Sequence, residues 1–334
     1  MRGVAPTTML LASALSFLGA FSVPAAQAES PSLAKSPSLA GPPCAAATTQ
    51  TLAAVDGNVA ERIYLDELAG AGTVADKHQV EEYRPLLSSL SKGNRAAVEK
   101  AVHQLVFSHT HIVRLRVTQG GRLLADVGGP YIIAPVGGSL RFHGRLVGSY
   151  LLSVQDDLGF VGLETRLIGV PLILHVNQVR VPLQGTIRTG SVAIPNRGAV
   201  VIRGTRFQAY SFNADAFPTG LVRISLLLGG GSDSTRSCAA VKVAEVGRIA
   251  HLIWRRFVLD GSPTTSFVTF AESHTGALTY VRRGTRQIAG STRPGPPGLP
   301  DSGAVRYRGV IYGVASFAAQ TSSKPVRVYE LVRL

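Results

Sequence analysis

Three segments of the chain share one short pattern, in which a strand-like run reaches a basic residue and a glycine and a second strand-like run follows. The three pairs are His143-Gly144, Arg203-Gly204 and Arg308-Gly309. Glycine tolerates the positive φ angles of tight turns, so each pair predicts the turn of a β-hairpin. Because the two strands of a hairpin run antiparallel, this pattern favours a fold with antiparallel sheets.

The second and third copies of the pattern form a longer internal repeat. The segment 203–212, RGTRFQAYSF, aligns with 308–317, RGVIYGVASF, and the strand 223–227 aligns more loosely with 327–331. The alternative is chance similarity among glycine-rich hairpins, which share the same turn chemistry.

Helical periodicity precedes the strands in two regions of the chain. Apolar residues recur at helical spacing between residues 51 and 107, and again between 246 and 257. The composition, with 45% hydrophobic and 16% charged residues, is that of a globular protein. We therefore predict an α+β fold with a helical region at 49–110, a first sheet module at 111–235, and a helix with a second sheet module at 236–334.

The N-terminus has the organisation of a secretory signal peptide. Arg2 precedes an apolar stretch between residues 9 and 23, and Ala26 and Ala28 frame a small-residue cleavage site. We predict a signal peptide at 1–28 that is cleaved after Ala28, a secreted or extracytoplasmic location, and a linker rich in proline and serine at 29–48. The alternative is an uncleaved membrane anchor.

The cysteines predict a disulfide in the exported protein, and its net charge indicates which partners to expect. Cys44 and Cys238 are the only cysteines, and in an oxidising compartment they predict a disulfide, the alternative being two buried thiols. The net charge is +14 and no Lys/Arg run exceeds two residues. Outside the cell the expected anionic partners are cell-wall polymers or lipid head groups, and nucleic acid is not an expected partner.

Taken together, the long N-terminal helix, the strand–Gly-Gly–strand segment 112–127 and the hairpins resemble the PAS-like extracytoplasmic sensor domains called Cache or PDC, in particular secreted arginine-rich versions from actinobacteria. The segments 109–117, HTHIVRLRV, and 153–159, SVQDDLG, carry most of this resemblance. It implies N-terminal helices followed by two PAS-like modules with five-stranded antiparallel sheets, each binding a small ligand on one face without catalysis or a cofactor. It also implies a membrane-bound signalling partner. Cache modules usually sit between two membrane helices, so the absence of a second apolar span here favours a self-contained binding protein.

The predicted ligand site combines residues from one hairpin and the loop before it, namely Tyr131, Arg141, His143, Tyr150, Gln155 and Asp156. Arginine offers a rigid fork for a carboxylate, tyrosine supplies a wall with a polar tip, and Asp156 is suited to an amine. Tyr131 is the expected lid. An amino acid or organic acid fits such a site, whereas the alternative interpretation is an exposed polar face of a half-buried sheet.

Two further functions stay open at this point. One is a cationic structural or adhesive protein that contacts an anionic cell-wall polymer. The other is a metal-assisted hydrolase that uses His109, His111 and Asp156, because two histidines two residues apart on a strand share a face. Neither is favoured, since an isolated His-x-His pair and an Asp156-Asp157 turn are more often structural, and no Gly-x-Ser-x-Gly, His-Glu-x-x-His or Cys-x-x-Cys motif occurs.

Overall fold

The structure is a computed structural model. It describes residues 39–45, 47–109, 111–130, 132–177, 179–181, 187, 189–230, 234–259, 261–321 and 324–334. The predicted signal peptide, most of the predicted linker and Tyr131 lie outside these residues.

Four helices form the N-terminal part of the chain after a short strand, β1 (Pro43–Ala45). They are α1 (Thr48–Ala69), α2 (Ala71–Glu82), α3 (Arg84–Ser91) and α4 (Arg95–Ser108). Asn94 caps α4, since its side chain accepts a hydrogen bond from the backbone N–H of Ala97.

The strand β1 lies within the predicted linker and pairs with a strand far along the chain. Part of the predicted linker is therefore ordered.

The first sheet lies directly after these helices. Its strands are β2 (Arg114–Gln119), β3 (Arg122–Gly128), β4 (Ile132–Phe142) and β5 (Arg145–Asp156), in the order β3-β2-β5-β4. All of its pairings are antiparallel. Apolar side chains of this sheet, such as Leu115, Val117 and Leu152, form one core with residues of α2, α3 and α4.

A second sheet follows the helix α5 (Asp157–Ile168). Its strands are β6 (Leu172–Val176), β7 (Val179–Arg180), β8 (Arg197–Ile202), β9 (Thr205–Asp215) and β10 (Leu221–Gly229), in the order β7-β6-β10-β9-β8. One face of the sheet packs on α1, where Leu172 and Ile224 share a core with Val59 and Ile63.

The third sheet has the same strand order as the second. After β11 (Ser234–Ser237), α6 (Cys238–Leu259) and α7 (Thr264–Thr275), it contains β12 (Leu278–Arg283), β13 (Arg286–Gly290), β14 (Gly303–Tyr307), β15 (Val310–Gln320) and β16 (Pro325–Arg333). The order is β13-β12-β16-β15-β14. The strand β11 pairs with β1, and a disulfide joins Cys44 to Cys238 beside them, which confirms the predicted bridge.

The three hairpin turns have the backbone that the basic-glycine pattern predicts. At His143-Gly144 the φ angles are +48° and +78°, at Arg203-Gly204 they are +50° and +80°, and at Arg308-Gly309 they are +50° and +79°. Two successive positive φ angles are typical of the type I′ hairpin turn, which matches the twist of the flanking strands. The α+β class with antiparallel sheets is thus confirmed.

The segment 111–235 contains two sheets, because the β4–β5 and β8–β9 hairpins belong to different sheets. The reason is α5, which begins where the sequence suggested only a turn and separates β5 from β6. Among the described residues, no helix is long and apolar enough to span a membrane.

Candidate functional site

The predicted residues Arg141 and His143 lie at the tip of the β4–β5 hairpin, and both side chains are exposed. Arg141 Nη1 donates to the backbone oxygen of Gly144 in the same turn, at 3.3 Å. The His143 ring contacts Phe142 at a tilt of 55°, with 4.1 Å between the ring centroids. Both side chains therefore contact their own hairpin, and neither lines the two clefts described below.

The other predicted residues occupy different surroundings along β5. Tyr150 is buried, and its hydroxyl donates to Glu81 Oε1 at 2.7 Å. Burial is the main cause that raises the pKa of Tyr150, and the Glu81 carboxylate raises it further. Gln155 is half-buried near the end of the strand, and Asp156 accepts from the backbone N–H of Gly159 as the N-cap of α5.

The structure does not bring the predicted set together, because the hairpin strands are long. Arg141 pairs with Leu146, whereas Asp156 pairs with Ile132 at the opposite end of the sheet. Ten residues of strand at about 3.3 Å each place the two ends roughly 33 Å apart. Arg141 and Asp156 therefore lie at opposite ends of the hairpin.

The histidines of the metal hypothesis lie between α4 and β2. Gln79 Nε2 is 2.8 Å from Nδ1 of His109. Within the described ranges, no group of three or more His, Cys, Asp or Glu side chains is arranged to hold a metal ion. Asp156 caps α5, where it accepts a hydrogen bond from the backbone N–H of Gly159.

A cleft of about 610 Å³ lies instead on the second sheet, over strands β6, β9 and β10. One wall is the segment 191–194 of the connection between β7 and β8. The lining residues are His175, Ser191, Val192, Ala193, Ile194, Asn213, Leu221 and Arg223. A cleft of this size suits a small organic molecule.

Three polar side chains form a row across the floor of this cleft. Arg223 in β10 pairs directly with His175 in β6 and with Asn213 in β9. Directly opposed residues of antiparallel strands have Cβ atoms about 4.5–5.5 Å apart and project from the same face. The register of the sheet therefore places a guanidinium between an imidazole and an amide.

The alternation of side chains along each strand explains why this row is turned away from the core. Leu172 and Leu174 in β6, and Ile224 and Leu226 in β10, face α1 and are fully buried. His175 and Arg223 have the opposite parity, so they project from the other face of the sheet. That face is apolar near Ile173 and becomes polar toward the cleft.

The guanidinium of Arg223 has hydrogen-bonding capacity left for a ligand. Its Nη2 donates to the backbone oxygen of Ile194 at 2.9 Å, which fixes the side chain against the cleft wall. Among the described residues, Arg223 contacts no carboxylate. Since a guanidinium carries five N–H donors in a planar fork, most of them stay available to an anion that enters the cleft.

The cleft wall is itself held to the sheet by short polar contacts. Ser211 Oγ donates to the backbone oxygen of Pro195 at 3.0 Å. Arg197 Nη1 donates to the backbone oxygen of Ser211 at 2.6 Å, and its guanidinium lies 3.2 Å from the ring centroid of Tyr210. The Ser211 contact holds Pro195, the residue after the wall residue Ile194, to the sheet.

A second cleft, of about 670 Å³, lies between α6 and strands β14 and β15. Arg236 and Arg248 both line it, and Arg248 Nη2 lies 3.1 Å from Asp56 Oδ1 and 2.5 Å from Glu245 Oε1. Burial, together with the Glu245 charge, raises the pKa of Asp56 to about 8 although Arg248 lowers it. Because the guanidinium of Arg248 is already held by two acidic side chains, this cleft is the weaker candidate for an anion.

On the third sheet, the corresponding face carries a buried cluster. Tyr280, Leu299, Tyr329 and Leu331 form a buried cluster beneath the connection between β13 and β14. On the second sheet, the described segment 191–194 of the corresponding connection borders the cleft around Arg223.

Comparisons with known proteins give similarity of general architecture only. No protein-family model matches the chain, and no curated protein matches its sequence. The ligand-binding domain of the Pseudomonas fluorescens chemoreceptor CtaA in complex with L-alanine is 12% identical, with a TM-score of 0.29, over 52% of this chain and 93% of that chain. The periplasmic domain of Vibrio cholerae LuxQ is 8% identical, with a TM-score of 0.16, over 86% of this chain and 98% of that chain.

A third similar structure is the ligand-binding domain of the Pseudomonas aeruginosa amino acid chemoreceptor PctC in complex with GABA. It is 11% identical, with a TM-score of 0.15, over 85% of this chain and 96% of that chain. Two of these three structures are thus ligand-binding domains of chemoreceptors and one is a periplasmic domain. TM-scores this low assign the chain to no family.

Proposed function

We propose that the chain is a non-catalytic, extracytoplasmic binding protein of the Cache-like sensor type, and that the cleft on the second sheet binds a small molecule with a carboxylate group. The observation that carries this proposal is the row of Asn213, Arg223 and His175 on the floor of an open cleft. An amino acid or a small organic acid is the ligand class.

Arg223 is the residue that would recognise the carboxylate. A guanidinium and a carboxylate form two parallel charge-assisted hydrogen bonds, and these are roughly twice as strong as neutral ones. Asn213 adds an amide that both donates and accepts, and the exposed Leu221 offers apolar contact to the rest of the ligand. The net charge of +14 attracts anions from solution.

The sensory role and the cellular location belong to the same proposal. The chain would be exported, with its signal peptide cleaved after Ala28, and would transmit binding through a membrane-bound partner. Cleavage is tested by mass spectrometry of the exported protein, since a mature chain that begins elsewhere than Glu29 would contradict it.

The binding proposal is tested with a panel of acetate, succinate, L-alanine and GABA. A ligand at one hundred times its dissociation constant stabilises the native state by about 2.7 kcal/mol, which is readily seen in a thermal melt. Isothermal titration calorimetry then measures the dissociation constant of each hit. We expect Arg223→Gln to weaken binding of that hit at least tenfold.

The matched control is Arg206→Gln, which removes the same charge from an exposed position in β9. Arg206 lies seven residues before Asn213, roughly 23 Å along the strand. We expect this variant to bind like the wild-type protein. A hit whose affinity is equally insensitive to both substitutions would place the ligand outside this cleft.

A further inference from the structure

The third sheet contains a counterpart of Arg223 that has different neighbours. The repeat aligns Arg223 with Arg327, and the two residues have the same register in sheets of identical strand order. Arg327 pairs with Arg282 in β12 and with Ala318 in β15, as Arg223 pairs with His175 and Asn213. The third sheet therefore has two directly opposed arginines at this position.

Arg327 already holds a carboxylate that the chain itself supplies. Its Nε lies 2.8 Å from Asp301 Oδ1 and 3.1 Å from Ser316 Oγ. Asp301 belongs to the connection between β13 and β14. Arg327 is thus paired with a carboxylate of the chain itself, whereas Arg223 contacts none among the described residues.

The contact that positions Asp301 has an equivalent in the second sheet. Ser316 Oγ donates to the backbone oxygen of Asp301 at 2.7 Å. Its repeat counterpart, Ser211, donates to the backbone oxygen of Pro195 at 3.0 Å. Pro195 therefore stands where the third sheet has Asp301, and proline has no carboxylate to offer Arg223.

The second arginine of the pair is buried and incompletely satisfied. Arg282 is 8% exposed, and among the described residues its Nε has no hydrogen-bond partner. Its Nη2 donates to the backbone oxygen of Pro296, and its guanidinium lies 5.7 Å from the ring centroid of Tyr329. Like charges directly opposed across two strands repel each other, so an anion between these arginines is favourable.

Asp301 compensates for this charge only loosely. Its side chain is 67% exposed and that of Arg327 is 39% exposed. Ion pairs between exposed side chains contribute little to stability, because water and salt screen them and ordering both side chains costs entropy. A free anion is therefore able to displace the Asp301 carboxylate at small cost.

We propose that Arg327 and Arg282 form a second oxyanion-binding site, which Asp301 occupies and a small carboxylate or phosphate enters by displacing it. This site is separate from the cleft around Arg223 and does not depend on the function proposed for that cleft. Asp301 acts as a built-in competitor that lowers the affinity of the third sheet for free oxyanions.

The test uses the whole mature chain and two probes, inorganic phosphate and acetate, in isothermal titration calorimetry. Asp301→Asn keeps the side-chain shape and the backbone oxygen that Ser316 contacts, but removes the competing charge. We expect it to bind at least one probe about threefold to fivefold more tightly than the wild-type protein, the size of effect that a surface ion pair supports. Which probe gains distinguishes a carboxylate site from a phosphate site.

Three further variants decide the interpretation. Glu99→Gln removes one negative charge from an exposed position in α4 and is expected to leave the affinity unchanged. Adding Arg327→Gln to Asp301→Asn should abolish the gain, whereas adding Arg223→Gln should leave it intact. An unchanged affinity in Asp301→Asn for both probes, the same gain in Glu99→Gln, or a gain that survives the loss of Arg327 would each overturn the proposal.

Discussion

The packing of α1 on the second sheet is tested by adding one methyl group at Gly57. A Cβ at this position would lie 2.1 Å from Cγ of Tyr210, well inside the usual contact distance of about 3.5–4.0 Å. The ring is held in place, since its hydroxyl lies 2.7 Å from Asn58 Oδ1 and 2.9 Å from Glu61 Oε2, the two acceptors for its single proton. Gly57→Ala must therefore displace the helix or break these contacts.

The expected magnitude follows from three opposing contributions to the free energy of unfolding. Overpacking costs about 1–3 kcal/mol, and the loss of one Tyr210 hydrogen bond costs about 1 kcal/mol more. Alanine returns about 1 kcal/mol through its higher helix propensity. The net is a destabilisation of about 2 kcal/mol. For 334 residues the entropy of unfolding is about 0.7 kcal/mol/K, so Tm falls by about 3 °C.

The assay is urea denaturation followed by circular dichroism, with Gly162→Ala as the matched control. A Cβ at Gly162 in α5 meets only Arg166 Nη1, at an ordinary 3.6 Å, so this variant gains about 1 kcal/mol from propensity alone. In a Tyr210→Ala background the clash is gone, and Gly57→Ala should also become stabilising. A stabilising Gly57→Ala in the wild-type background would refute the reasoning.

Two further predictions concern the disulfide and a buried acid. Cys44 and Cys238 are 194 positions apart, and in the chain-entropy model a closed loop of that length stabilises the fold by about 5 kcal/mol. Replacing both by serine should lower Tm by about 7 °C in calorimetry, and a fall below about 1 °C would contradict this. Glu164 is fully buried, and neither carboxylate oxygen has a partner among the described residues. Burial raises its pKa well above 4.5, and the Glu67 charge adds to this. The folded state therefore binds its proton more tightly, and the resulting stability, present below about pH 4.5, is lost as pH rises through the folded-state pKa. Glu164→Gln should flatten this pH dependence and be more stable than the wild-type protein at pH 8, whereas parallel stability profiles would count against the argument.

Features that depend on a few neighbouring residues could be predicted from the sequence. The positive φ angles at Arg203-Gly204 and Arg308-Gly309 are of this kind, since the glycine and its turn geometry are local. The helix α5 shows the limit of this approach. Asp156 was expected to bond its own backbone in a turn, and it does accept from the N–H of Gly159. The same hydrogen bond serves a turn or a helix N-cap, so the local signal could not tell which one follows.

The binding site that we propose could not be predicted from the sequence for a different reason, which concerns register. The predicted site combined Arg141 and Gln155, which belong to one hairpin. Arg141 lies beside the turn and Gln155 lies near the opposite end of the strands, so the two residues are far apart. The row on the second sheet joins His175, Asn213 and Arg223 from three strands, and only the pairing of those strands shows that they are neighbours.

The repeat marks Arg223 and Arg327 as equivalent, but it cannot show that one is open and the other occupied. That difference lies in the connections before β8 and β14, outside the aligned segments. There, equivalent serine contacts place Pro195 beside one sheet and Asp301 beside the other. A duplicated arginine is therefore a sign of shared geometry, and the residue that each connection brings to it decides whether that geometry is available to a ligand. On this reasoning Pro195→Asp should close the second-sheet cleft to carboxylates while the chain stays folded, and calorimetry with the ligand of the wild-type protein would detect the loss.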